Sequence, residues 1–166
     1  MKKYQNIILI LIAVAAVFGL IWLSKSSDDN GNNPEAVSAG GGILSAQEQS
    51  FDFGSISMAK GKVSHSFKIK NTGTGPMTIN KIYTSCMCTV ASLMKDGDEI
   101  GPFGMQGMGV TPNIKEKLEQ GQEAEILVVF DPAAHGPAGV GKISRAVFVE
   151  NSGGKLEFYF DANVTP

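Results

Sequence analysis

Two cysteines, two histidines and one tryptophan are all that this 166-residue chain holds of those types. Two cysteines are too few for the disulfide framework of a small secreted module, so the body must fold on an apolar core. The formal charge is only −2 and the body has no Lys/Arg-rich run. Nucleic acid is therefore not expected as a partner. Helical periodicity is nearly missing from the body, and so is any Cys-x-x-Cys motif. Neither histidine has a visible acid or oxyanion site beside it, and no enzymatic activity is expected. The length allows one ordinary domain with accessories.

What is present begins with an unbroken apolar run. "MKKYQN" precedes Ile7 to Leu23, a stretch of about 17 residues, near the lower limit for spanning a bilayer. Lys2 and Lys3 lie before it and the polar "SKSSDDNGNN" after it. The positive-inside bias then predicts a cytoplasmic N-terminus, a single-pass anchor over residues 1–23 and an extracytoplasmic body, periplasmic or at the cell surface. A cleaved signal peptide is the competing reading. Against it, bulky Ile21, Trp22 and Leu23 stand where small residues should mark cleavage, and there is no lipobox cysteine. Residues 24–46 are mostly Ser, Asp, Asn and Gly and read as a flexible tether. The body is expected over residues 47–166.

That body alternates with period two. In "KVSHSFKIKNTGTGP", Val63, His65, Phe67 and Ile69 share one face, and Ser64, Ser66, Lys68 and Lys70 the other. Met77 to Tyr83 forms the next strand. "EAEILVVFDP" is apolar on both faces, as a central strand should be. "GKISRAVFVE" and "KLEFYFDANV" follow, joined by "NSGG". In the last of these, Leu156, Phe158, Phe160, Ala162 and Val164 point one way. Short strands between polar turns predict an all-β, antiparallel sandwich. "KDGDEIGPFGMQGMGVTPN" reads as a long glycine-rich loop. "TPNIKEKLEQG" is expected as a short helix, with Thr111 as N-cap, Pro112 at its first position and Gly121 past its end.

"FDFGSI", "VSHSFKIKNTGTGPMTI", "TSCMCTV", "GQEAEILVVFDP" and a closing "FDANV" occur in the order seen in the bacterial domain-of-unknown-function 1573 family. The body resembles that family over roughly Phe51 to Val164. The resemblance implies an immunoglobulin-like sandwich, similar to hydin-type domains, exported from the cytoplasm and usually without assigned activity. Two features depart from the family pattern. Met87 stands between the cysteines where a small residue is common, and the Met/Gly-rich insertion lengthens the following loop. A shared fold does not assign a function.

The chemistry concentrates in "YTSCMCTV". On an extended strand Cys86 and Cys88 would point the same way about 6.5–7 Å apart at Cα, at or beyond the limit for a disulfide unless Met87 makes a tight turn. Two thiolates on one face suit Cu(I) or another thiophilic metal by softness. Zinc would want four firm ligands, which this chain can only just supply. Candidate thioethers are Met105 and Met108 in "FGMQGMG", with Met87 and the less favoured Met94. His135, in "DPAAHGPAGVG", falls at the same end of the predicted sandwich as the cysteines and is a candidate ligand, with an exposed turn histidine as the bland alternative. His65 reads as a satisfied core histidine, and Met58 and Met77 as filler. The expectation is a membrane-tethered extracytoplasmic binding domain, with Cu(I) on Cys86, Cys88, His135 and one of Met105 or Met108. The alternatives are an envelope adhesion or scaffold module with inert, buried cysteines, and a thiol-redox protein.

Overall fold

The computed structural model describes residues 41–109 and 111–166. The apolar run Ile7–Leu23 and most of the expected tether lie outside the described residues. Among the described residues ten strands follow one another: β1 (Leu44–Ala46), β2 (Ser50–Ser57), β3 (Val63–Asn71), β4 (Met77–Thr84), β5 (Thr89–Lys95), β6 (Asp98–Phe103), β7 (Glu116–Leu118), β8 (Glu123–Phe130), β9 (Gly141–Asn151) and β10 (Gly154–Thr165). They form two five-stranded sheets, ordered β1-β3-β8-β5-β6 and β2-β10-β9-β4-β7. All pairings are antiparallel except β2 with β10, which run parallel.

The period-two pattern explains how the sheets stack. Phe67 and Ile69 of β3, Ile126 and Val128 of β8, and Phe158 and Phe160 of β10 are buried between the two layers. Their neighbours Lys68, Lys70, Tyr159 and Asp161 face water. Two apolar faces covering each other remove that area from water, the main favourable contribution to such a fold. β8 lies at the centre of its sheet, as its two-sided apolar pattern predicts. His65 stacks on Phe51 at 3.7 Å between ring centroids, and its Nε2 lies 2.7 Å from Glu48 Oε1. It is satisfied, as expected, but half-buried at the edge of the sandwich and not in its core.

The stretch read as a long loop is in part a hairpin. β5 runs on to Lys95 and returns as β6 through Asp96 and Gly97, with φ of 54° and 93°. Two consecutive positive φ values are what a tight hairpin turn requires, and Asp-Gly supplies them at low cost. The helix expected over "TPNIKEKLEQG" does not form. Glu116–Leu118 instead pairs with Ile79–Met77 at the sheet edge, and Leu118 is fully buried. Lys115 has φ of 52°, which a right-handed helix cannot include. Burial of Leu118 outweighs the segment's helical propensity. β1 starts at Leu44, ahead of the boundary expected at residue 47, because Leu44–Ala46 adds a strand to β3.

Strand directions bring four connections to one end of the sandwich. These are the 3-10 turn Met58–Lys60 between β2 and β3, the cysteine turn between β4 and β5, the Met/Gly segment after β6, and the loop between β8 and β9.

Candidate functional site

β4 ends at Thr84 and β5 begins at Thr89, so Ser85 to Cys88 must reverse the chain between the two sheets. The Thr89 N–H donates to the Cys86 carbonyl at 3.2 Å, closing a turn with Met87 and Cys88 at its centre. Buried Thr84 braces it, its hydroxyl 2.9 Å from the Cys86 carbonyl oxygen and 3.0 Å from that of Thr89. The turn shortens the Cα–Cα distance between Cys86 and Cys88 to 5.3 Å, and the two sulfurs are bonded to each other. That spacing is ordinary for a disulfide. The cysteines therefore do not stand side by side on an extended strand, and two free thiolates are not present together in this state.

The two sulfurs differ in surroundings. Cys88 is 3% exposed, its sulfur 3.7 Å from Thr89 Oγ1. Cys86 is half-buried against the edge of the core. The Cys86 sulfur also accepts from the Cys88 N–H at 3.4 Å and lies 3.2 Å from His135 Nε2. One donor atom from each of Cys86, Cys88 and His135 falls within 4.8 Å of the other two. The juxtaposition expected from the alternation of loops is therefore observed for these three residues.

His135 is held there by its own loop. The Asp131 N–H donates to the Cys88 carbonyl at 2.9 Å, tying the end of β8 to the cysteine turn. Asp131 Oδ1 accepts from the Ala133 N–H, and His135 opens the 3-10 turn Gly136–Gly139. A Cβ at Gly139 would lie 3.2 Å from His135 Cβ and 3.4 Å from Met58 Cε. Met58, expected as filler, thus packs against the histidine loop.

The methionines are placed unequally. Met105 forms a parallel bridge with Thr84, and the Gly104 carbonyl accepts from the Thr84 N–H at 3.1 Å. This sets the loop bearing Met105 beside the cysteine turn. Met108 follows one turn later and is 61% exposed. Met94 sits at the other end of β5, in a surface cleft with Lys68, Asp96 and Gly97.

Sequence reasoning passed over Arg145. β9 runs antiparallel to β4 with Thr84 opposite Val147, and the Ser85 N–H donates to the Ala146 carbonyl at 2.9 Å. Arg145 comes next on β9, where β4 gives way to the cysteine turn. On its other side Arg145 pairs with Phe160, which is 1% exposed, so the arginine lies on the core-facing side of its sheet. Its Nη1 donates to the Ser144 carbonyl at 2.8 Å, while its Nε is buried without a hydrogen-bond partner among the described residues. The signal was available: in "GKISRAVFVE", Arg145 interrupts the face that carries Ile143, Val147 and Val149.

Residues 44–102 match the family model described as protein of unknown function (DUF1573). The match bears out the resemblance read from the motifs, and the cysteine turn lies inside it. A comparison with curated proteins finds no match. Among solved structures, a protein of unknown function from Porphyromonas gingivalis W83 superposes with a TM-score of 0.55 at 16% identity, over 80% of this chain and 51% of its own. The chain thus spans about half the length of that protein, and at this identity the likeness concerns the fold alone. Looser likenesses reach the Vibrio cholerae VesB protease (TM-score 0.47, 17% identity, 74% of this chain and 32% of that one). A PapD-like domain of human CEP192 is similar at a TM-score of 0.43 and 14% identity, over 74% and 84% of the two chains.

Proposed function

We propose that the chain is a membrane-tethered, extracytoplasmic binding domain that holds Cu(I), or another thiophilic metal, on Cys86, Cys88 and His135 once the disulfide is reduced. The observation that carries this reading is the clustering of the three donor atoms within 4.8 Å. Two thiolates and an imidazole are soft enough for Cu(I). A structural zinc site wants four protein ligands, and this cluster of His, Cys, Asp or Glu has three among the described residues. Met105, on the loop bridged to Thr84, is the better placed thioether to shield the metal. Exposed Met108 is the poorer one. The tethering rests on the apolar run and its flanking lysines. Membrane-impermeant protease should remove the body from cells whose inner membrane is intact; protection until that membrane is broken would refute the topology.

The test of the metal reading is a competition titration of the reduced protein against a chromophoric Cu(I) chelator. Wild type should retain one Cu(I), and Cys86→Ser/Cys88→Ser should retain none. His135→Ala should weaken retention about tenfold. Equal retention by wild type and the double serine variant would remove the cysteines from the site. A second reading, an envelope adhesion or scaffold module, is favoured by the disulfide, which then serves only to staple the turn. Loss of Cu(I) by both proteins in the titration would leave that reading in place.

A further inference from the structure

We propose that the Cys86–Cys88 disulfide is a thiol–disulfide exchange site that accepts two electrons from an exposed dithiol on a partner protein. This goes beyond metal binding and does not depend on it. Two independent features of the sandwich end support it.

The first is the asymmetry of the pair. An incoming thiolate can approach the half-buried Cys86 sulfur, whereas Cys88 is almost fully enclosed. Attack at Cys86 forms a bond between it and the partner's sulfur and breaks the Cys86–Cys88 bond. The electron pair leaves on the Cys88 sulfur, which faces the Thr89 hydroxyl and takes up a proton from water. The partner's second thiolate then attacks its own first sulfur. That closes the partner's disulfide and releases Cys86 as a thiolate. The partner loses two electrons and two protons; the cysteine pair gains the two electrons and, on Cys88, one proton, and the other proton stays in water.

The second is the surface around the sulfurs. Large apolar side chains that stand exposed include Met87 at 53%, Val140 at 46% and Met108 at 61%. Met87 lies between the cysteines, Val140 closes the 3-10 turn that His135 opens, and Met108 is on the loop beside Thr84. A cleft lined by Lys62, Met87, Cys88, Asp131 and Ala134 also reaches Cys88. An apolar rim around a reactive bond suits docking of another protein's surface, where a small thiol would gain nothing.

The experiment follows reduction of the full-length oxidised protein in detergent, with chelator present so that metal binding plays no part. Reduced thioredoxin serves as the protein dithiol and dithiothreitol as the small one. Thioredoxin should react at least about tenfold faster than dithiothreitol at equal concentration, a surplus of the size a few apolar contacts supply. Val140→Asp should remove most of that surplus and leave the dithiothreitol rate unchanged. Of the single variants, Cys88→Ser should form a mixed disulfide with a nitrophenyl disulfide probe, and Cys86→Ser should not. A disulfide that neither dithiol reduces while the protein stays folded would overturn the proposal, as would equal reactivity of the two single-cysteine variants. Circular dichroism on each variant separates lost reactivity from lost folding.

Discussion

At the end of the sandwich where β3 stops, Asn71 is fully buried and both its side-chain polar atoms are paired. Its amide nitrogen donates to the carbonyls of Gly75, Leu118 and Glu119 at 2.9–3.2 Å. Its Oδ1 accepts from the N–H groups of Ile43 and Gly73 at 3.2 and 3.1 Å. Gly73 is packed so closely that a Cβ there would meet the Gly41 carbonyl oxygen and lie 2.6 Å from the Ile43 nitrogen. One side chain thus ties together the start of β1, the β3–β4 turn and the chain after β7. At the opposite end, Arg145 keeps a buried Nε without a partner among the described residues, and three large apolar side chains stand in water. Both ends join the same strands. One is closed by saturated hydrogen bonding, and the other retains unspent donors and apolar area, which is how a binding or reacting surface differs from a structural one.

The comparison can be broken most directly at Asn71. Asn71→Ala removes every one of those bonds and leaves buried backbone groups unpaired, so unfolding stability should fall by at least about 3 kcal/mol. Denaturant titration measures it. A loss no larger than an ordinary surface change would mean that the network contributes little to closing that end. Arg145→Leu should act weakly and with the opposite sign. It replaces an orphaned donor on a core-facing position by a side chain that the neighbouring Phe160 can pack against, and should leave stability unchanged or raise it by about 1 kcal/mol. A substantial loss of stability in Arg145→Leu would show the arginine to be structural and erase the contrast between the ends.

Most strands were legible because one buried face imposes period two on side chains, and β3 and β10 show that pattern in full. The β5–β6 hairpin carried its own local signal in Asp96-Gly97, obscured by the glycines that follow. β7 carried none: three residues of "KEKLEQ" form a strand only because β4 offers an open edge and a place to bury Leu118. Nor does any short stretch of sequence record that β2 and β10, more than a hundred residues apart, pair in parallel.

The candidate site divides along the same line. By itself the sequence determined that both thiols lie one residue apart, that the strand order places His135 at their end of the fold, and that glycines flank Met105 and Met108. Those are properties of composition and chain direction. Only the tertiary structure decided that the cysteines form a turn rather than a strand, since closing a chain between two sheets is a constraint that neither strand carries alone. The same holds for Arg145, which the register of β9 on β4 brings to the point where β4 gives way to the cysteine turn. Hydrogen bonding between distant segments sets that register, and a single stretch of sequence contains no trace of it.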